Sequence, residues 1–424
     1  MKLSAFGQKF SADAGISSLM DDLGNAMASG DDMIMMGGGN PGNVPPVQAL
    51  FQRELQRLAN DEAAVKRLVG TYDPPQGEKQ FIGALVELLN REYSWGLKPG
   101  NIGLTNGSQA AFFMLFNMFA GPRPAGDAGQ PRHILLPLAP EYIGYSDAGL
   151  YEGTFRSVRP EIDFHGDHRF KYRVDFDQLQ VTEETGAICV SRPTNPTGNV
   201  VTDGEMARLE ALARQWDIPL IVDAAYGAPF PGLLYVDATA HWNENIIFCL
   251  SLSKLGLPAA RTGIVIAAEP VIKALASVNA IMNLATGSFG AMLAEDMVRS
   301  GEILRLSRDV IGPFYRAKME RAVATFSAAM GEGYPWFVHE PEGAMFLWLW
   351  FPDLPITSEV LYQRLKMRGV LVVSGHYFFP GLPVDHWRHR QECLRVTYSQ
   401  DDDQVAQGLH IIAEEVRRAY DGEA

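Results

Sequence analysis

An alternation running from about residue 100 to 270 most limits what this chain can fold into. Short apolar runs take turns there with segments of helical period. "NIGLTNGSQAAFFMLFNMFAG" passes from a short strand through a Gly-Ser turn into an apolar helix. "HILLPLAP" (133–140) and "GAICVSRPTNPTG" (186–198) read as buried strands, the second ended by a Pro/Asn/Gly turn. The period of "EMARLEALARQWD" (205–217) predicts a helix, followed by the strand "IPLIVDAAY" (218–226). "NIIFCLSLSK" (245–254) and "RTGIVIAA" (261–268) add two more strands. Strands separated by helices imply a parallel sheet with helices on both faces. Ligands of such sheets bind outside the carboxyl ends of the strands, and Asn106, Asn195, Asp223 and Lys254 all stand at such ends.

The rest of the chain has a different pattern. "PWFVHEPEGAMFLWLWFPD" (335–353) reads as two strands around a turn, followed by the helical "SEVLYQRLKMRG" (358–369). "ECLRVTYSQ" (392–400) is a strand, and "DQVAQGLHIIAEEVRRAY" an amphipathic helix. These form an α+β unit expected to pack with the N-terminal residues as a smaller domain. With 424 residues there is room for both. The expected division is 1–55 as N-terminal segment and part of the small domain, 56–305 as the large domain, and 306–424 as the C-terminal small domain.

Charge and cysteine use exclude several classes. A net charge of -14 argues against nucleic acid and against docking on anionic membranes. No apolar run approaches a membrane span, and "MKLSAFGQKF" lacks the apolar stretch of a signal peptide. Cys189, Cys249 and Cys393 are far apart in apolar contexts, which fits reduced thiols in the cytoplasm and no metal site.

Lys254 raises the sharpest question. It lies in "SLSKLGLPAARTG", an apolar stretch where burying a charge is costly. Alone it reads equally as a surface lysine; buried, it is a carbonyl-trapping nucleophile. Asp223 alone reads as a cap, and Asn195 in "RPTNPTG" as a turn residue. "TNGSQAA" opens a helix whose free N–H groups suit an anion, and "SLSK" and Arg261 supply hydroxyls and a cation from the other side. Neither G-x-x-x-x-G-K-[ST] nor G-x-G-x-x-G is present. An amine, a phosphate cradle and a carboxylate for a ring nitrogen are the parts of pyridoxal phosphate chemistry.

The order "RPTNPTG", "DAAY", "SLSK" with Arg261, and "LRVTYS" resembles the aspartate-aminotransferase superfamily, the class I/II aminotransferases of pyridoxal-phosphate fold type I. The resemblance covers nearly the whole chain. It implies a mostly parallel sheet of the seven-stranded type flanked by helices, and a homodimer with shared active sites. It makes Lys254 the Schiff-base lysine and proton shuttle, and Asp223 the partner of the pyridinium nitrogen. Asn195 and Tyr226 would bond the phenolic oxygen, and Tyr142 would stack on the ring. Ser108, Gln109, Ser251, Ser253 and Arg261 would hold the phosphate, and Tyr72 would reach the phosphate of the other subunit. Arg395 would clamp the substrate carboxylate, with Gly39 and Asn195 beside it.

Substrates of such an enzyme are amino acids and 2-oxo acids. The segment where dicarboxylate enzymes of the family carry a second arginine reads "NAIMNLATGSFGAM" (279–292), with no Lys or Arg. Aromatic residues in "HYFFPG" (376–381) are available to line a side-chain pocket. The resemblance, together with these two segments, makes exchange between valine and pyruvate the expected reaction. A kynurenine- or alanine-type aminotransferase and a C–S lyase remain alternatives, because one fold serves several outcomes. An amino-acid-sensing regulator would need a helix-turn-helix domain ahead of "GGGNPG" (37–42).

Overall fold

The structure is a computed structural model, describing residues 2–11, 24, 33–127, 129–383 and 386–423. Much of the segment 1–55 thus lies outside the described residues.

A seven-stranded sheet organises the larger part. Its strands lie side by side in the order Ile102–Thr105, Gly263–Ile266, Ile246–Ser251, Leu220–Asp223, Thr185–Ser191, His133–Leu136 and Phe155–Ser157. From Ile246–Ser251 to Phe155–Ser157 all neighbours are parallel, whereas Gly263–Ile266 is antiparallel to both its neighbours. Alternate residues go to opposite faces of a strand. Ile134, Cys189, Ile221, Ile247 and Val265 pack on one face with Phe112, Leu115 and Phe116 of the helix Ser108–Phe119. Leu135, Ile188, Val190, Val222, Phe248 and Ile264 join the core on the other. Burial of both faces explains why these strands read as unbroken apolar runs. The three cysteines are free and buried.

A six-stranded second sheet runs in the order Val373–Ser374, Cys393–Thr397, Phe346–Trp350, Phe337–His339, Arg169–Arg173 and Glu161–His165. The helices Gly312–Met330 and Asp402–Tyr420 pack together beside it. Its last two strands form a hairpin that falls, in sequence, inside the span 56–305. The hairpin joins through parallel pairing of Val338 and His339 with Arg169 and Phe170.

One short pairing sets the cleft between the sheets. Ile34 and Met35 run parallel to Val370 and Leu371, and Thr397 N–H donates to Met36 O at 2.8 Å. This carries Gly37 to Gly39 across the carboxyl ends of the large sheet's strands.

Candidate active site

Side chains from those strand ends meet around a cavity of about 250 Å³. Asn195, Asp223, Tyr226, Lys254, Arg261 and Arg395 all face it, as do Gly39, Ser108, Gln109, Tyr142, Ser251 and Ser253. Tyr72 does not: it is 81% exposed, on a groove beside Thr286 to Ser288. Asn106 is also turned away, its Oδ1 accepting from Gly287 N–H at 3.1 Å.

Asp223 ends the buried strand Leu220–Asp223. Its Oδ1 accepts from Ala225 N–H at 2.9 Å and its Oδ2 from Tyr145 O–H at 2.7 Å. Burial raises its pKa, and those bonds and the Lys254 charge oppose the rise. Lys254 follows the next strand, in the one-turn segment Ser253–Leu255. Its Nζ donates to Gly39 O at 2.7 Å and lies 5.3 Å from the centre of the Tyr226 ring. Burial foremost, then the charges of Arg395 and Arg261, lower its pKa to about 8.

Arg395 comes from the second sheet, where Cys393–Thr397 pairs with Phe346–Trp350. Its Nη1 donates to Asn195 Oδ1 at 2.9 Å and its Nη2 to Gly37 O at 2.5 Å. The guanidinium carbon lies 4.5 Å from the centre of the Phe346 ring and 5.1 Å from that of Phe378. Burial lowers its pKa to about 10, and its buried Nε has no partner.

Two glycines shape the opposite wall. Gly107, at φ +84°, precedes the helix that Ser108 begins, and a Cβ there would lie 2.1 Å from Arg261 Nη2. At Gly263 a Cβ would lie 2.6 Å from Gly107 C and 2.7 Å from Ser108 N. Arg261 itself has φ +45°, which places its guanidinium against the start of the helix. Ser251 Oγ accepts from Ser253 N–H at 3.1 Å. Gln109 Nε2 donates to Gly144 O at 2.8 Å, so its side chain braces the 142–145 turn.

Among the described residues no carboxylate lies within ion-pair distance of Lys254, Arg261 or Arg395. Three cations thus converge on a cavity whose lining holds the single carboxylate of Asp223. The donor set matches an anion at the helix start, a carboxylate at Arg395 and a protonated ring nitrogen at Asp223. Pyridoxal phosphate with an amino acid presents those groups, so the residues fit it.

Sequence patterns gave no pointer to Glu141, Tyr145 and Ser191 around Asp223, or to Phe346 beside Arg395, whereas Phe378 falls in the aromatic run "HYFFPG" and packs on the Arg395 guanidinium. Tyr145 lies in "PEYIGY" beside Tyr142, yet only packing tells the two tyrosines apart.

The model of the family "Aminotransferase class I and II" matches residues 32–412. The chain belongs to that family. It is 48% identical over 420 residues to the valine–pyruvate aminotransferase of Escherichia coli K12, covering 99% of each. The crystal structure of valine–pyruvate aminotransferase from Salmonella typhimurium LT2 superposes with a TM-score of 0.87 at 47% identity, covering 96% of this chain and 100% of that one. The Thermus thermophilus aspartate aminotransferase shares the fold at 20% identity, with a TM-score of 0.75 over 98% of this chain and 100% of that one. The aminotransferase thus has the α/β architecture expected of it, and of the four strand-end groups Asn195, Asp223 and Lys254 face the cavity while Asn106 does not.

Proposed function

We propose that this aminotransferase exchanges the amino group between L-valine and pyruvate, giving 3-methyl-2-oxobutanoate and L-alanine. The observation that carries the reading is the full-length likeness, at 48% identity, to an enzyme of that name. Its cofactor is pyridoxal 5′-phosphate, which when bound supplies an electrophilic carbon and a sink for electrons released at the substrate Cα.

Each residue then has a physical task. The helix start at Ser108, with Ser251, Ser253 and Arg261, would hold the phosphate. Asp223 would keep the ring nitrogen protonated, and Tyr142 would cover the ring. Asn195 spends its carbonyl oxygen on Arg395, which leaves its amide N–H groups, with the Tyr226 hydroxyl, for the phenolic oxygen. Lys254, its pKa near 8, has a substantial neutral fraction at mildly alkaline pH. As the amine it would carry the cofactor; once displaced by substrate, its Nζ would take the Cα proton and return it. Arg395 would grip the α-carboxylate as a fork.

The cavity lining also supports the substrate. It has no cation beyond Lys254, Arg261 and Arg395, each with a task already. A distal carboxylate buried without a partner is penalised by several kcal/mol, whereas burying a branched aliphatic side chain contributes roughly 1.5–3 kcal/mol. With pyruvate as acceptor, kcat/KM for valine should exceed that for aspartate and glutamate by orders of magnitude, with alanine and 2-aminobutyrate compared alongside through 3-methyl-2-oxobutanoate. Equal values for glutamate or aspartate would overturn the substrate and leave the transaminase.

We also read the enzyme as a cytoplasmic homodimer. Val69, Tyr72, Ile281 and Leu284 stand 60–88% exposed on neighbouring segments, a patch suited to a second copy. There Tyr72 is available to reach the other subunit's phosphate. Among the described residues no helix is long and apolar enough to cross a membrane, and the three thiols are unpaired.

A further inference from the structure

Behind Asp223 lies a second buried carboxyl group that the reaction does not use. Glu141 is 1% exposed. Its Oε1 accepts from Ser191 N–H at 2.9 Å, and its Oε2 lies 2.5 Å from Ser191 Oγ and 3.2 Å from Tyr142 N. Ser191 Oγ is 3.4 Å from the Tyr145 hydroxyl, which donates to Asp223 Oδ2 at 2.7 Å. Glu141, Ser191, Tyr145 and Asp223 therefore form one line of oxygens ending at the cavity.

Packing leaves this line little freedom. Ser191 and Asp223 are register partners in adjacent parallel strands. The Tyr145 ring is edged by Phe116 at 5.0 Å and tilted on Phe112 at 5.2 Å. It cannot swing its hydroxyl away without opening the core.

We propose that Glu141, as the neutral acid, heads a one-way hydrogen-bond chain through Ser191 and Tyr145 that positions Asp223 and fixes the negative charge on its carboxylate. The inference rests on reading Asp223 as partner of the cofactor's ring nitrogen. With the proton on Glu141, each hydroxyl donates toward Asp223: Glu141 to Ser191, Ser191 to Tyr145, Tyr145 to Asp223. Two anions so close in a dry interior repel, so one of them keeps a proton. Asp223 faces Lys254, Arg261 and Arg395 across the cavity, while among the described residues no cation lies within ion-pair distance of Glu141. Its titratable neighbours are Asp223, Tyr142, Tyr145 and Cys189. Burial pushes the Glu141 carboxyl up to about 8, in keeping with that division. Glu141 and Tyr145 touch neither cofactor nor substrate in this scheme; they are positioning residues.

The test compares wild type, Asp223→Asn, Tyr145→Phe, Glu141→Ala and Glu141→Gln, each with native pyridoxal phosphate. Two quantities are read: the cofactor dissociation constant, and the pH midpoint of the bound cofactor's visible band. Tyr145→Phe and Glu141→Ala are each expected to weaken binding about tenfold and to move the midpoint, since each breaks the bonding behind a buried carboxylate. Glu141→Gln is neutral and keeps both contacts with Ser191, giving up only the long 3.2 Å bond that Oε2 accepts from Tyr142 N–H, so it should stay within about threefold of wild type. If Glu141→Gln fell as far as Glu141→Ala, the neutral acid would be wrong. If Asp223→Asn fell while Tyr145→Phe and Glu141→Ala matched wild type, the chain would be wrong and the role of Asp223 would stand. An Asp223→Asn protein that matched wild type would overturn that role and the chain with it. Should Glu141→Ala fail to fold, the two isosteric variants, Tyr145→Phe and Glu141→Gln, decide alone.

Discussion

Lys254 shows the tension between stability and function in one side chain. Its pKa falls from 10.5 to about 8, so the folded cofactor-free protein disfavours the charged form. Below about pH 8 the lysine is protonated in both states and the penalty is full. Between about 8 and 10.5 the folded state sheds its proton first, so stability rises with pH; above 10.5 the difference is gone. Lys254→Met should therefore stabilise the cofactor-free enzyme at pH 7 by about 1–2 kcal/mol, discounted because Lys254 is only half-buried. The gain should shrink through that window, and activity should fall by several orders of magnitude at every pH. Denaturant titrations at pH 7 and 10.5 check this; an equal gain at both would mean that the site does not depress the lysine. Lys254, Asp223, Asn195, Tyr226 and Arg395 were legible through the order of the motifs that hold them, which carries the resemblance to the family; one by one, Asp223 reads as a cap and Asn195 as a turn residue. Glu141 and Tyr145 carry no such mark. A buried carboxyl group and a hydrogen-bonded tyrosine become recognisable only once strands far apart in sequence lie in register.

At the scale of elements, the buried parallel strands were plain because both faces are apolar. Two features were not. The direction of Gly263–Ile266 is invisible in its composition, because an antiparallel strand buried on both faces has the same apolar content as a parallel one. The hairpin Glu161–Arg173 mixes charged and aromatic residues, and its place in the second sheet depends on Val338 and His339, far along the chain. The antiparallel strand has a consequence of its own: it brings Gly263 beside Thr105, against the start of the helix Ser108–Phe119. Gly263→Ala would force that start outwards, costing about 1–3 kcal/mol of stability. The dissociation constant of pyridoxal phosphate should then rise about tenfold while that of pyridoxal, without the phosphate, stays nearly constant. Equal losses for both ligands would show that this helix start does not hold the phosphate.

The whole molecule places its chemistry where two sheets face each other. The large sheet provides the Lys254 amine, the Asp223 carboxylate and the helix start at Ser108 with Arg261 against it. The second sheet provides Arg395, and the N-terminal segment threads the carbonyls of Gly37 and Gly39 between them. In the proposed dimer the exposed patch around Tyr72 and Ile281 would meet a second copy, and sedimentation equilibrium should then give twice the 46.7 kDa chain mass, a monomer refuting the shared sites. Transamination joins these parts into one reaction, and isotope transfer reads it directly. With holoenzyme, ¹⁵N-labelled valine and unlabelled pyruvate, the label should appear in alanine, mole for mole with 3-methyl-2-oxobutanoate. Label released as ammonia, or retained in valine while pyruvate persists, would contradict an exchange between these two substrates.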